Sequence, residues 1–542
     1  MKKSISIIMT ILMTSMIFIG CSKPTTKETK TEVNSEIVNG KFVKTRNITV
    51  EVYDRGNDGG TKPEQNTYTK FIADGMLADH NVQVTFKAVP RWTEVEQLNN
   101  RLAAGDAPDV CVTYDYPTIQ TYADMGGVLD LTGPIEENKE MLPNLMGLLT
   151  DTNIYWDRDT KKNTLWAIEA RLVNSQRINT FVRKDWLKKL SISEPKTIEE
   201  FEAMLKAFKD NAATLLGKDA KKMVPFSISF DVGWRADHLL ASFVPNNISE
   251  KDMFVNGFDD RNLLFPGIKN GVKKINDWYN SGLVWKDFPI YATGDKTEDN
   301  MIKAGNVGAF THNWDYPYRD GDNSINNNIK RLAGEDAGYI AVMPFKDDAG
   351  KNTKFLSGPV DRKLFFPATN KEPLASLLYL DWISKFENRS FLQIGEEGVT
   401  HEKMADGSVK AIAAKGEKIM NSPSNIDYTI TINGLDIGKP ELNLKSIANG
   451  YVGVPTNDVE QAYKYSIQDG RIMKKVSVGD IKAEQGMGTA LSDKRNTMLT
   501  KAVVAPSSSF DSVFDSGLKD YLSSGGQAII DERKAAWEET FK

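Results

Sequence analysis

The sequence predicts an α/β fold in two or more lobes. Three observations carry this: strand and helix patterns alternate near the start, each helical stretch is long enough for a crossover, and the chain is too long for one core. Ile48, Val50 and Val52 alternate with polar residues as a strand requires, and the turn-rich run Asp54-Arg55-Gly56-Asn57-Asp58-Gly59-Gly60 follows. A helical spacing then sets Tyr68, Phe71, Ile72 and Met76 on one face, after which Val82, Val84, Phe86 and Ala88 alternate again. Val95, Leu98 and Leu102 mark a second helix, and Val110 to Tyr114 a third strand. The expected product is a parallel sheet with helices on its faces.

The N-terminus sets the compartment. Lys2 and Lys3 precede a run from Ile5 to Ile19 whose only polar members are Ser and Thr. That run is shorter than the roughly 20 residues of a membrane span and has the layout of a secretory signal over residues 1–20. Gly20-Cys21 closes it and resembles the lipobox of bacterial lipoproteins, although Phe18 and Ile19 replace the usual Leu and small residue. The resemblance implies acylation of Cys21 and anchoring at the extracellular face of the cell membrane; the alternative is an uncleaved apolar anchor, and both put the remainder outside the cytoplasm. Residues 21–46 are rich in Lys, Thr, Glu and Ser with no sustained apolar period, so they read as a tether.

The chain has two cysteines, Cys21 and Cys111. Cys111 lies in the apolar run Val110-Cys111-Val112 and reads as a lone buried thiol, so no disulfide is expected. The 68 basic and 73 acidic residues are well mixed and leave a net charge of −5, which gives no basic patch for nucleic acid.

In open α/β sheets ligands bind beyond the carboxyl ends of the strands, which directs attention to the loops after strands one and three. The first carries Asp54 and Arg55, the second Tyr114-Asp115-Tyr116-Pro117. Aromatic faces beside carboxylate and guanidinium groups suit a sugar, whose ring has an apolar face and a polar rim. Ordinary solvated turns are the competing reading.

Four segments extend the case. They are Arg101-Leu-Ala-Ala-Gly-Asp-Ala-Pro-Asp109 continuing to Met125-Gly-Gly-Val-Leu-Asp-Leu131; Phe181-Val-Arg-Lys-Asp-Trp-Leu-Lys-Lys-Leu190 followed by Pro195-Lys-Thr-Ile-Glu-Glu-Phe201; Met301-Ile-Lys-Ala-Gly-Asn-Val-Gly-Ala-Phe310; and Ile394-Gly-Glu-Glu-Gly-Val399. Within the second, Thr197 and Glu200 form a capping box ahead of a helix with Ile198, Phe201, Leu205 and Phe208 on its apolar face. In this order the segments resemble the family 1 extracellular solute-binding proteins of ABC importers, most closely the large oligosaccharide and uronide binders.

The resemblance implies two α/β lobes that close around a carbohydrate as a hinged clamp and deliver it to permease subunits, with a monomeric protein and no cofactor. By analogy, residues 47–168 plus about 345–400 form the first lobe, about 169–344 plus about 401–542 the second, and the crossing strands lie near Leu165–Arg171 and Ile340–Phe345. Large uronide binders of this group often carry a calcium loop after the capping-box helix. Here Asp210 to Asp219 has lost the alternating oxygens, and Asp320-Gly-Asp-Asn-Ser324 has Arg331 in place of the twelfth-position Glu, so no metal is expected.

Further site candidates lie in the second half. Thr311-His-Asn-Trp-Asp-Tyr-Pro-Tyr-Arg319 follows the strand Val307–Phe310 and aligns with the place where maltose-binding-type members present a Trp, which puts Trp314 first and Arg319 beside it. The competing role for Trp314 is to anchor a loop onto the core. Trp234 and Arg235, in Asp231-Val-Gly-Trp-Arg-Ala-Asp-His238, either line the cleft or begin a helix. Arg171 and Arg362 are further candidates; several such arginines in a cleft would favour an acidic sugar, because guanidinium grips carboxylate in a fork.

Catalytic signatures are sparse. Gly-x-Ser-x-Gly, His-Glu-x-x-His and Cys-x-x-Cys are absent, Gly434-Leu-Asp-Ile-Gly-Lys439 is one residue short of a phosphate loop, and Gly486-Met-Gly488 lacks a third glycine. The adjacent pairs Glu396-Glu397 and Glu136-Glu137 are badly placed to attack one glycosidic bond from opposite sides. A binding protein is expected, with a secreted glycoside-active enzyme or a surface sugar sensor or adhesin as alternatives.

Overall fold

Strand β1, Arg46–Asp54, buries Ile48, Val50 and Val52 as their alternation predicts, yet Glu51 and Tyr53 on the opposite face are buried as well. Both faces of this strand are covered, so period two describes only half of its burial. These coordinates are a computed structural model, and they describe residues 36–56, 61–149, 156–159, 164–173, 175–291, 295–358, 360–412, 426–473, 476, 478 and 481–542. Cys21, the signal segment, most of the tether and the loop residues 57–60 lie outside the described residues.

Helix α1, Thr67–His80, connects β1 to β2, Val82–Pro90, which pairs with β1 in parallel with Ile48 opposite Val84. Asn66 caps α1 by accepting from the N–H groups of Tyr68 and Thr69 at 2.9 and 3.2 Å, satisfying two donors that the first turn leaves free. Helix α2, Glu94–Ala104, stops at Gly105, whose φ of 71° is the left-handed conformation of a C-cap; this is why glycine stands in Arg101 to Asp109. Strand β3, Cys111–Thr113, follows, and helix α3, Tyr116–Asp124, leaves it. To this point the order is the expected crossover series.

The sheet then departs from all-parallel. Strand β4 spans Thr164–Leu172, after which the chain builds a second sheet from β5 (Ile178–Arg183), β6 (Val224–Ser227), β7 (Val307–Asn313) and β8 (Tyr339–Val342) in the order β8-β5-β7-β6. It returns as β9, Val360–Phe365, and β10, Ile432–Asn433, giving the order β10-β4-β9-β3 in the first sheet, with Trp156–Asp159 paired antiparallel to β4 beside that path. Strand β9 arrives from the other sheet and so runs antiparallel to both neighbours. The capping-box helix, Ile198–Asp210, covers the second sheet with Phe201, Met204, Leu205 and Phe208. Thr197 accepts from the Glu200 N–H at 3.1 Å as expected, but the Glu200 carboxylate takes the N–H of Lys196 at 2.7 Å rather than that of the cap itself.

Each sheet has its own core. One contains Val50, Ile72, Leu165, Leu364 and Leu380, the other Phe181, Phe208, Phe226, Phe310 and Leu499. The lobe boundaries differ from those drawn by analogy. Phe345 and Phe355 belong to the second core, whereas Tyr428 and Ile430 belong to the first. The cause is Arg362, which is fully buried and donates to the carbonyl oxygens of Ile426, Thr429, Ile430 and Ile432, pinning that late segment to the first lobe. The folded body also begins earlier than residue 47. Ile37–Val38 and Lys41–Phe42 pair as a hairpin, Phe42 is buried in the first core, and His80 Nδ1 lies 2.8 Å from the Gly40 carbonyl oxygen.

Among the described residues three chain passes join the lobes, following β4, preceding β9 and following β10. Backbone bonds tie them together, with the Ser357 N–H donating to Ser175 at 3.2 Å and the Val173 N–H to Asn433 at 2.8 Å. Leu165–Arg171 is therefore a sheet strand of the first lobe, and the crossing itself comes just after it.

Cys111 is a free, buried thiol, and burial pushes its pKa well up, which leaves it protonated and unreactive. Glu51 has a related history. Burial, reinforced by nearby Glu94, raises its carboxyl from 4.5 to about 8 despite a bond from the Val112 N–H. Between those values the folded state holds a proton that the unfolded state releases, so the stability present at low pH is lost as pH rises through about 8. Glu51→Gln, neutral throughout, should lose less of its thermal midpoint than the wild type when pH is raised from about 5 to about 8. Parallel losses in the two proteins would mean that Glu51 ionises normally.

Candidate functional site

The carboxyl ends of β1, β2 and β3 meet in an aromatic platform. Tyr53 is the penultimate residue of β1 and Tyr114 follows β3; their rings stack with centroids 6.2 Å apart at 18°. The Arg91 guanidinium, from the turn after β2, lies 4.1 Å from the Tyr114 ring centre, 5.2 Å from that of Tyr53 and 5.4 Å from that of Trp92. Such cation–ring contacts hold the platform in place. Glu94, buried beneath it, accepts from the Tyr114 N–H at 3.1 Å and the Thr113 hydroxyl at 3.3 Å. Burial raises the Glu94 carboxyl above its usual range. Trp92 stands out from this set with 75% of its surface exposed.

Asp115 caps α3, accepting from the Thr118 N–H at 3.2 Å and from the Thr118 hydroxyl. Together Tyr114, Asp115, Thr118, Tyr122 and Lys363 of β9 form one wall of a cleft of about 780 Å³. The opposite wall comes from the second lobe: Asp259 and Asp260, Glu484, and Ser492 and Arg495 of the long helix Gly488–Val504. The Gln485 side-chain amide reaches across to Asp124 at 3.3 Å. Arg495, only 3% exposed, donates to Asp259 at 2.8 Å and Asp260 at 2.9 Å, and the Tyr521 hydroxyl donates to Asp259 at 3.0 Å.

Behind this wall lies Trp234, half-buried, with the guanidinium groups of Arg177 and Arg261 at 4.9 and 5.1 Å from its ring centre. Arg177 pairs with Asp237 at 3.0 Å, while Arg261 pairs with Asp231 at 2.8 Å and with Asp260 of the cleft wall at 2.5 Å.

Of the residues predicted to meet ligand, Tyr114 and Asp115 stand on the cleft wall, and Trp234 is one ion pair behind it. Tyr116 opens α3, but its side chain is outside the described residues. The others are engaged in the fold. Arg55 makes two bonds to Asp427, at 2.7 and 2.9 Å, and Asp54 accepts from the Gly56 N–H at 2.8 Å. Arg171 pairs with Asp436 at 2.9 Å, and Arg319 binds Asp315 through Nε at 2.8 Å. Arg235, 5% exposed, grips Glu298 at 2.6 and 2.7 Å and the Thr311 carbonyl oxygen at 2.7 Å.

Trp314 is 7% exposed and packs edge-on against Tyr451 and Tyr463. This is the environment of a core anchor rather than of an open stacking face, so the packing corrects its place at the head of the candidates. Trp92, Lys363, Asp259, Asp260 and Arg495 were missed. For Trp92 a signal existed, because the loop after strand two also ends at the carboxyl edge of the sheet. Asp259 and Arg495 are 236 positions apart, and nothing local announces their pairing.

Residues 71–389 match the family of bacterial extracellular solute-binding proteins. The chain belongs to that family. As a solute-binding protein it is 23% identical over 484 residues to the polygalacturonan/rhamnogalacturonan-binding protein YtcQ of Bacillus subtilis (strain 168), covering 85% of this chain and 86% of the relative. Among solved structures it is similar to the ABC-transporter substrate-binding protein FusA of S. pneumoniae in complex with kestose, at a TM-score of 0.63 and 15% identity over 91% of this chain and 99% of that one. It is also similar to the alginate-binding protein AlgQ2 without calcium ion, at a TM-score of 0.60 and 17% identity over 92% and 98% of the two chains. These likenesses establish the mixed α/β, two-lobed architecture of this solute-binding protein. Among the described residues no helix is long and apolar enough to cross a membrane.

Proposed function

We propose that this solute-binding protein captures an oligosaccharide in the cleft between its lobes and hands it to the permease of an ABC importer, without chemistry on the ligand. The observation that carries the reading is the cleft itself, whose aromatic wall at Tyr114 faces a wall of carboxylates and hydroxyls at Asp259, Asp260 and Ser492. Such opposition matches a sugar ring, with its C–H face toward the aromatic side and its hydroxyls paired to the polar side. The polygalacturonan/rhamnogalacturonan in the name of YtcQ and the kestose in the FusA complex support a carbohydrate ligand.

Because the two walls belong to different lobes, ligand joins them and shifts the population toward a closed form. An oligosaccharide that raises the thermal midpoint should therefore also reduce the radius of gyration in small-angle scattering; at a hundred times its dissociation constant it adds about 2.7 kcal/mol of stability. Stabilisation by peptides or amino acids and by no glycan would overturn the reading.

The protein is held at the membrane through acylated Cys21. Cys21→Ser should release it into the medium with ligand binding intact, since the folded body starts well beyond that residue. Retention on the membrane after this change would assign anchoring to the apolar segment instead.

A further inference from the structure

Charge in the cleft bears on which oligosaccharide it takes, a question that rests on the carbohydrate reading above. Among the described residues four carboxylates line it, those of Asp115, Asp259, Asp260 and Glu484, against two lining cations, Lys363 and Arg495, with Arg261 and Arg533 pairing Asp260 and Glu484 from behind the wall. An acidic oligosaccharide adds one negative charge with each uronate unit and needs cations free to receive them, ideally the planar fork of arginine.

The guanidinium groups around the cleft are already occupied. Arg495 is held between Asp259 and Asp260. Arg261 is held by Asp231 and Asp260, and Arg177 by Asp237. Arg533 pairs with Glu484. Arg91 lies against the rings of Tyr53 and Tyr114 with Glu94 at 4.0 Å. Of the lining cations, only Lys363 has no carboxylate partner among the described residues; its ammonium donates to the Asp361 backbone carbonyl at 3.0 Å. On the same wall the Asp115 carboxylate accepts from the N–H and the hydroxyl of Thr118, and its charge opposes that of Lys363.

We infer that the cleft selects an uncharged oligosaccharide and discriminates against polyuronates, unlike the acidic polymers named for YtcQ. The carboxylates of Asp115 and Asp260 are acceptors for sugar hydroxyls, and a uronate beside Asp115 would bring like charges together, while the guanidinium groups at Asp260 are already spent on Asp260 and its neighbours. Lys363 offers a single point charge, too few for a chain carrying one carboxylate per unit.

The test is calorimetric titration of the mature protein with two sets of short linear oligosaccharides. One set is neutral, comprising gluco-, galacto-, arabino-, xylo- and fructo-oligosaccharides. The other consists of oligogalacturonates and oligomannuronates, and each oligogalacturonate is paired with its full methyl ester, which keeps the backbone and removes the charge. The expected result is a neutral ligand bound at least about tenfold more tightly than any uronate, and no methyl ester weaker than its free acid. A uronate that binds as well as the best neutral sugar, with affinity falling as salt is raised, overturns the inference and leaves the carbohydrate reading standing. Heat from no member of either set overturns both, and the absence of any glycan response identifies the carbohydrate reading as the one that failed first. Asp260→Asn provides a second measurement. Its side chain is 65% exposed, so the fold should tolerate the change, and the preference for ester over acid should narrow. An unchanged preference would remove Asp260 from the selectivity.

Discussion

Trp314→Ala should destabilise the ligand-free protein by about 3–5 kcal/mol while leaving oligosaccharide affinity nearly unchanged. The indole is 7% exposed and meets Tyr463 and Tyr451 edge-on, with ring centres 5.6 and 6.2 Å away, so alanine would leave a cavity that two aromatic rings cannot readily fill. Its backbone adds to the effect. The Trp314 N–H donates to the Arg177 carbonyl at 3.1 Å, and its carbonyl accepts from the Asn179 amide at 3.2 Å, so collapse there would disturb the strand that begins the second lobe. Urea titration and calorimetric binding on the same preparation check this. A variant with unaltered stability and an affinity reduced by more than an order of magnitude would return Trp314 to the ligand.

Trp92→Ala should show the opposite pattern. With 75% of its surface exposed, this ring contributes little to folding, and the thermal midpoint of the free protein should stay within about a degree. It is the exposed aromatic ring of the β2 loop and lies against Arg91, which in turn lies on Tyr114 of the cleft wall. Truncating an aromatic ring that stacks on ligand typically costs about 2 kcal/mol or more, so affinity should fall roughly thirtyfold. Trp92→Phe should recover part of that loss, since a smaller ring still offers a flat face. Unchanged affinity in both variants would show that the ligand stays within the cleft and does not reach this rim.

The paired variants separate two roles that one residue type can play. Trp92 and Trp314 both follow strands, and both are flanked by residues suited to sugars. Their difference lies in how much of each ring the rest of the chain covers, and that coverage arises from Tyr451 and Tyr463, more than a hundred positions beyond either tryptophan.

Local physics made much of this protein legible from its sequence. Alternation in Ile48, Val50 and Val52 placed β1, helical spacing placed α1, and Thr197 marked the start of the helix Ile198–Asp210, because each signal is carried by residues within a turn or two of one another. The Tyr114-Asp115 loop was found for the same reason: the end of a strand and the chemistry of the next two residues are adjacent in sequence. What only the tertiary structure decided involves partners far apart along the chain. Arg55 and Arg171 look like ligand-gripping arginines until Asp427 and Asp436, hundreds of positions away, occupy them. Arg362 draws residues 426–432 into the first lobe, and a strand that returns from the other lobe adds antiparallel pairing to the first sheet. Whether a polar group is spent inside the fold or left for a ligand is settled by which opposite charge the folded chain brings within about 3 Å, and sequence spacing carries no record of that distance.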